Sequence, residues 1–108
     1  MTKSHGQSLM AYFNSRYRIK GLYFLDEPEA ALSPRSQLAL IELMRECENA
    51  GNAQFIIASQ SPILLAYPGA RIYSFDHIPL EPINYEDTEH YRVYHDFLNN
   101  RDKYMGNM

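Results

Sequence analysis

Leu22-Tyr23-Phe24-Leu25-Asp26-Glu27-Pro28 is a short apolar run closed by two carboxylates and a proline. Gly21 opens it, and a continuous apolar run bounded by breakers predicts a strand buried on both faces of a parallel sheet. Helix signals follow at once. Ser33 is an N-cap residue, Pro34 stands at the first helical position where a missing N–H costs nothing, and Leu38, Ile41, Met44 and Cys47 form a stripe. Ala50-Gly51-Asn52 ends that helix, and Gln54-Phe55-Ile56-Ile57-Ala58 reads as a second buried strand. Strand, helix, strand in this order is the unit that joins two parallel strands. Asp26 and Glu27 therefore leave the C-terminal end of a parallel strand, the place where open α/β sheets bind their ligands. Taken alone, Asp-Glu-Pro is also an ordinary polar turn.

Further along, Ser59-Gln60-Ser61-Pro62 repeats the serine-proline start and leads into a short segment, Ile63 to Ala66, stopped by Pro68-Gly69. Arg71 to Phe75 alternates like a strand, and Leu80 to Tyr85 is expected to pair with it as a hairpin around Asp76-His77-Ile78-Pro79. The tail from Thr88 to Asn100 predicts a helix with Tyr91, Tyr94, Phe97 and Leu98 on one face, its acidic start favoured by the helix dipole. Upstream, residues 6 to 17 place Leu9, Met10, Tyr12, Phe13 and Tyr17 on one helical face, with Ser4 available as a cap.

The chain has 108 residues and 12.6 kDa, room for one small domain. A hydrophobic share of 45% with 21% charged residues suits a globular chain, and a net charge of -3 supplies no field for generic nucleic-acid or membrane binding. The tyrosines and phenylalanines carry no interleaved basic run, so they read as core and helix-face residues, not a base-stacking platform. His77, His90 and His95 lack metal-ligand spacing, and no G-x-S-x-G elbow accompanies Ser8, Ser59 or Ser61. The lone Cys47 is expected to be a small buried group in a reducing compartment, which makes the cytoplasm the default. No apolar stretch of membrane-spanning length and no leader-like h-region is present in the sequence.

The segment Leu22 to Pro28 resembles the extended Walker B motif of ABC-type ATPases, and Ala30-Ala31-Leu32-Ser33-Pro34 resembles the D-loop that follows it. Ser4-His5-Gly6-Gln7 is similar to the family's signature motif, with His5 in place of a glycine, and Phe55 to Pro62 resembles the switch-loop strand and its turn. Four motifs in this order look like the C-terminal half of an ABC-type nucleotide-binding domain. In particular, the sequence looks like bacterial AAA-family ATPases related to chromosome-maintenance and repair ATPases, through Tyr85 to Tyr91 and Phe97 to Asn100 as well. The fold implied is α/β: a partial P-loop NTPase fold over 1–108, a mainly parallel sheet flanked by helices.

The resemblance implies ATP and Mg2+ as ligands. It makes Asp26 the support of Mg2+, Glu27 the group that polarises the attacking water, and Ser4, Gly6 and Gln7 a contact to ATP held by another subunit. Gln60 stands at the switch position, usually histidine; its amide donates a neutral hydrogen bond but takes up no proton. Ser33 replaces the D-loop aspartate and doubles as a helix cap. The sequence contains no G-x-x-x-x-G-K-[ST], so the phosphate-cradling loop and its strand are missing. The expectation is a homo-oligomer or a complex with a Walker A-bearing half, nucleic acid entering only through a wider assembly. The alternative is a non-enzymatic oligomerising or regulatory module that keeps the fold without turnover.

Overall fold

A computed structural model describes Ala11 and residues 19–75 and 78–106. The expected helix over 6–17, its Ser4 cap, and the signature residues Ser4, His5, Gly6 and Gln7 lie outside these residues, as does His77. The chain divides into two compact units, 1–64 and 65–108.

In the first unit, β1 (Gly21–Asp26) is followed by a 3-10 turn (Pro28–Ala31), α1 (Pro34–Asn49) and β2 (Ala53–Ala58). The strands pair in parallel with Gly21 opposite Ala53 and Asp26 opposite Ala58, as the strand-helix-strand order predicts. Ser33 caps α1: its Oγ accepts the Ser36 N–H at 3.1 Å, and Pro34 occupies the first turn. Gly51 closes the helix with φ 74°, a left-handed conformation that glycine enters without a Cβ clash.

The core consists of Leu25, Leu32, Leu40, Leu43, Met44, Cys47 and Leu64. Cys47 is a free thiol and fully buried, the small apolar role its place in the pattern predicts. The helical stripe is rotated from the expected one: Gln37, Leu40, Leu43, Met44 and Cys47 face inward, and Leu38 is 55% exposed. At about 100° per residue, 37, 40, 44 and 47 share one face while 38, 41, 44 and 47 spread over about half the helix, so spacing favours the observed stripe; the polar Gln37 at its start concealed it.

The strands correct a second expectation. Neither is buried on both faces: Tyr23, Leu25, Phe55 and Ile57 are sheltered, while Leu22, Phe24 and Ile56 are 51%, 73% and 48% exposed. Two strands and one covering helix can shelter one sheet face, and the alternation of side chains leaves every second apolar residue on the other. Tyr23 and Phe55 stack across the pair with ring centroids 5.7 Å apart.

A 3-10 turn (Leu64–Ala66) begins at the unit boundary; Ser61 Oγ accepts the N–H groups of Ile63 and Leu64 at 3.1 and 3.2 Å, the cap its Ser-Pro setting predicts. In the second unit, β3 (Ile72–Tyr73) and β4 (Pro82–Ile83) form the expected hairpin, but only two residues of each strand pair. Pro82 has no N–H to give to a longer ladder. Tyr85–Asp87 is a 3-10 turn where the strand was expected to end, and α2 (Glu89–Asn99) starts from Thr88, whose Oγ1 accepts the Tyr91 N–H at 3.2 Å. Tyr91 and Phe97 are half-buried as expected, whereas Tyr94 and Leu98 are exposed. A short α3 (Arg101–Met105) continues beyond the predicted end.

Candidate functional site

The parallel register brings the C-terminal ends of β1 and β2 side by side, and the residues that follow each strand share that end of the sheet. The Glu27 N–H donates to the Ala58 carbonyl at 2.7 Å, one bond past the ladder. Chain direction then changes sharply. Glu27 has φ 47° and ψ 57°, the sole non-glycine residue with positive φ among those described. An L-residue there costs roughly 1 kcal/mol or more, and such strain concentrates where a side chain must be aimed in one direction. Pro28 fixes the next φ, and Ala30 N–H returns to the Glu27 carbonyl at 3.1 Å.

Asp26 and Glu27 are both exposed, and among the described residues neither carboxylate is held by a hydrogen bond or ion pair. Two outward carboxylates on adjacent residues at a strand end are able to accept hydrogen bonds from water and to meet a hydrated cation. Among the described residues no group of three or more His, Cys, Asp or Glu side chains forms a metal cage. A single carboxylate on a largely hydrated ion suits Mg2+, which retains several waters and completes its shell with substrate phosphates.

Gln60 follows β2 with its side chain exposed, and its backbone N–H donates to Glu29 Oε2 at 2.9 Å. Ser59 Oγ donates to the other oxygen of the same carboxylate at 2.9 Å. The turn after β1 and the loop after β2 are thus joined by Glu29, a residue the sequence reading did not single out. Its partners are 30 and 31 positions away, and no local pattern announces a contact of that separation. Asp26, Glu27 and Gln60 therefore come to one end of the sheet, while the signature residues Ser4, Gly6 and Gln7 lie outside the described residues.

Residues 10–66, more than half of the chain, match the AAA domain family described as AbiEii toxin-like, Type IV TA system. The chain belongs to this AAA-domain family. The match spans β1, the Asp26-Glu27 turn, α1, β2 and the Gln60 loop, so this AAA domain carries its candidate site inside the matched region. Membership makes the chain a nucleotide-binding, ATPase-like domain, and the small α/β unit with its parallel strand pair agrees with part of a P-loop-like fold. No curated protein and no solved structure matches the chain. Among the described residues no helix is long and apolar enough to cross a membrane.

Proposed function

We propose that this AAA domain is the C-terminal, carboxylate-bearing half of an ABC-type ATP-hydrolysing unit, akin to chromosome-maintenance and repair ATPases. The observation that carries the reading is the pairing of Asp26-Glu27 and Gln60 at one end of a parallel strand pair, inside a region that matches an AAA family. Asp26 holds the water shell of Mg2+, and the ion, when bound, neutralises charge on the phosphates. Glu27, at the left-handed turn that ends β1, orients the attacking water and accepts its proton. Gln60 donates its amide N–H to the transferred phosphate, a neutral contact without the charge a histidine can carry. Ser4, Gly6 and Gln7 act on ATP held by another subunit.

In this reading a Walker A-bearing half supplies the phosphate loop that these 108 residues do not contain, and the assembly is a homo-oligomer or a complex with that half. A second reading is that the domain assembles or regulates without turnover. Mg-ATP binding and hydrolysis by the purified chain, alone and with a Walker A-bearing half, separates the two. Rescued turnover that falls roughly a hundredfold or more in Glu27→Gln supports the ATPase, in line with the loss of a general base. Absence of turnover in every combination supports the assembly module. Turnover equal in wild type and Glu27→Gln would remove Glu27 from the chemistry.

A further inference from the structure

Glu29 has no part in the mechanism above, yet both of its carboxylate oxygens are engaged on the loop that carries Gln60. Oε1 accepts from the Ser59 hydroxyl and Oε2 from the Gln60 backbone N–H, each at 2.9 Å. Hydrogen bonds to an ionised carboxylate are shorter and roughly twice as strong as neutral ones.

The contact belongs to a closed ring. Ser59 Oγ accepts the Ser61 N–H at 3.0 Å, the Ser61 hydroxyl donates to Gln37 Oε1, and Gln37 Nε2 donates to the Leu32 carbonyl at 3.2 Å. The Leu32 N–H then donates to the Glu29 carbonyl at 3.1 Å, returning to the start. Proton counting leaves no slack: Ser59 spends its hydroxyl proton on Glu29 and Ser61 spends its own on Gln37. Gln37 and Ser61 are buried, so the far side of the ring is fixed to the core, while Gln60 is exposed and anchored at its N–H by Glu29.

We propose that Glu29 is the positioning residue that ties the Gln60 loop to the Asp26-Glu27 turn, so that a carboxylate on one loop sets the placement of the side chain on the other. Its consequence for turnover rests on the ATPase reading; the coupling between the loops does not. Glu29→Gln removes the charge and replaces one acceptor oxygen with an NH2 donor, so the Gln60 N–H is left at best with a neutral acceptor, about half as strong, while the β1–β2 ladder and the Ser33 cap are untouched.

Amide hydrogen exchange and proton shifts of the 15N-labelled full chain, without nucleotide, test the coupling. In Glu29→Gln the Gln60 amide is expected to exchange roughly tenfold faster or more and to move upfield, with α1 amides within about twofold of wild type. Ser59→Ala, which removes one donor and keeps the Gln60 bond, is expected to give a smaller change of the same sign. An unchanged Gln60 amide, or an equal loss of protection throughout α1, would overturn the proposal. Should Glu29→Gln not fold, Ser59→Ala decides by the same amide. With a Walker A-bearing half present, Glu29→Gln is expected to lower kcat roughly tenfold with KM within about twofold, because the contact it aligns is made in the transition state. A raised KM at constant kcat would count against that consequence. If wild type shows no turnover at all, the ATPase reading fails and the nucleotide-free Gln60 amide still decides Glu29.

Discussion

Glu27 combines a side chain suited to accepting a proton with a backbone conformation its residue type disfavours. The strain and the carboxylate are separable by substitution. Glu27→Gly removes the Cβ that makes φ 47° costly and should leave the chain as stable as wild type or more stable by up to about 1 kcal/mol in urea unfolding, although it abolishes any Glu27-dependent turnover. Glu27→Ala keeps the strain and should show no such gain. A Glu27→Gly variant less stable than Glu27→Ala would mean that the turn is held in place by the side chain and not in spite of it. The residue types at this site were legible in the sequence as Asp-Glu after an apolar run. The left-handed turn was not, because it follows from the way the chain leaves β1 while still bonded to Ala58 on β2.

At the scale of elements, α2 and α3 are joined by a cluster around Asp96. Its carboxylate accepts from Lys103 Nζ at 2.9 Å and from the Tyr104 hydroxyl, and Asn100 Nδ2 adds a bond at 2.9 Å. The Tyr104 and Lys103 hydrogen bonds hold the Asp96 carboxyl below its usual range. The bond to Asp96 raises Lys103 and, from the other side, raises Tyr104. The signs give a window. A lowered Asp96 favours the folded pairing above the ordinary carboxylate range and loses it as pH falls below about 4; raised Lys103 and Tyr104 favour it below about 10 and lose it above. All three groups are solvent-exposed, so salt weakens the effect. The protection of the 101–105 amides relative to their intrinsic exchange rates should therefore be greatest between these limits and fall on both sides, with Asp96→Asn flattening the profile. Retention of α3 protection at pH 2.5 would show that helix propensity alone maintains it. Caps and breakers made element starts readable, as Ser33 demonstrates, whereas Asn100 at the start of α3 makes no capping bond and turns back to Asp96 with Lys103 and Tyr104.

For the molecule as a whole, one face of the β1–β2 pair is left apolar and exposed among the described residues. Leu22, Phe24 and Ile56 lie on one side of the β1–β2 pair, and the proposed association with another chain would cover this apolar face. Phe24→Ser should weaken self-association, or association with a Walker A-bearing half, by roughly tenfold or more in sedimentation equilibrium, the scale expected when a large apolar side chain leaves an interface. A wild-type chain that stays monomeric and binds no such half would sink the idea.

The sequence by itself determined the strand-helix-strand order, the parallel pairing, the Ser33 cap, the burial of Cys47, and the placement of Asp26 and Glu27 after a strand. These depend on residues within a few positions of one another, where propensity, caps and apolar spacing act. The tertiary structure alone decided which sheet face is sheltered, the left-handed turn at Glu27 and the Glu29 clamp on Ser59 and Gln60. The turn and the clamp require atoms some 30 residues apart in the chain to meet at one end of the sheet, and a local pattern carries no information about that meeting.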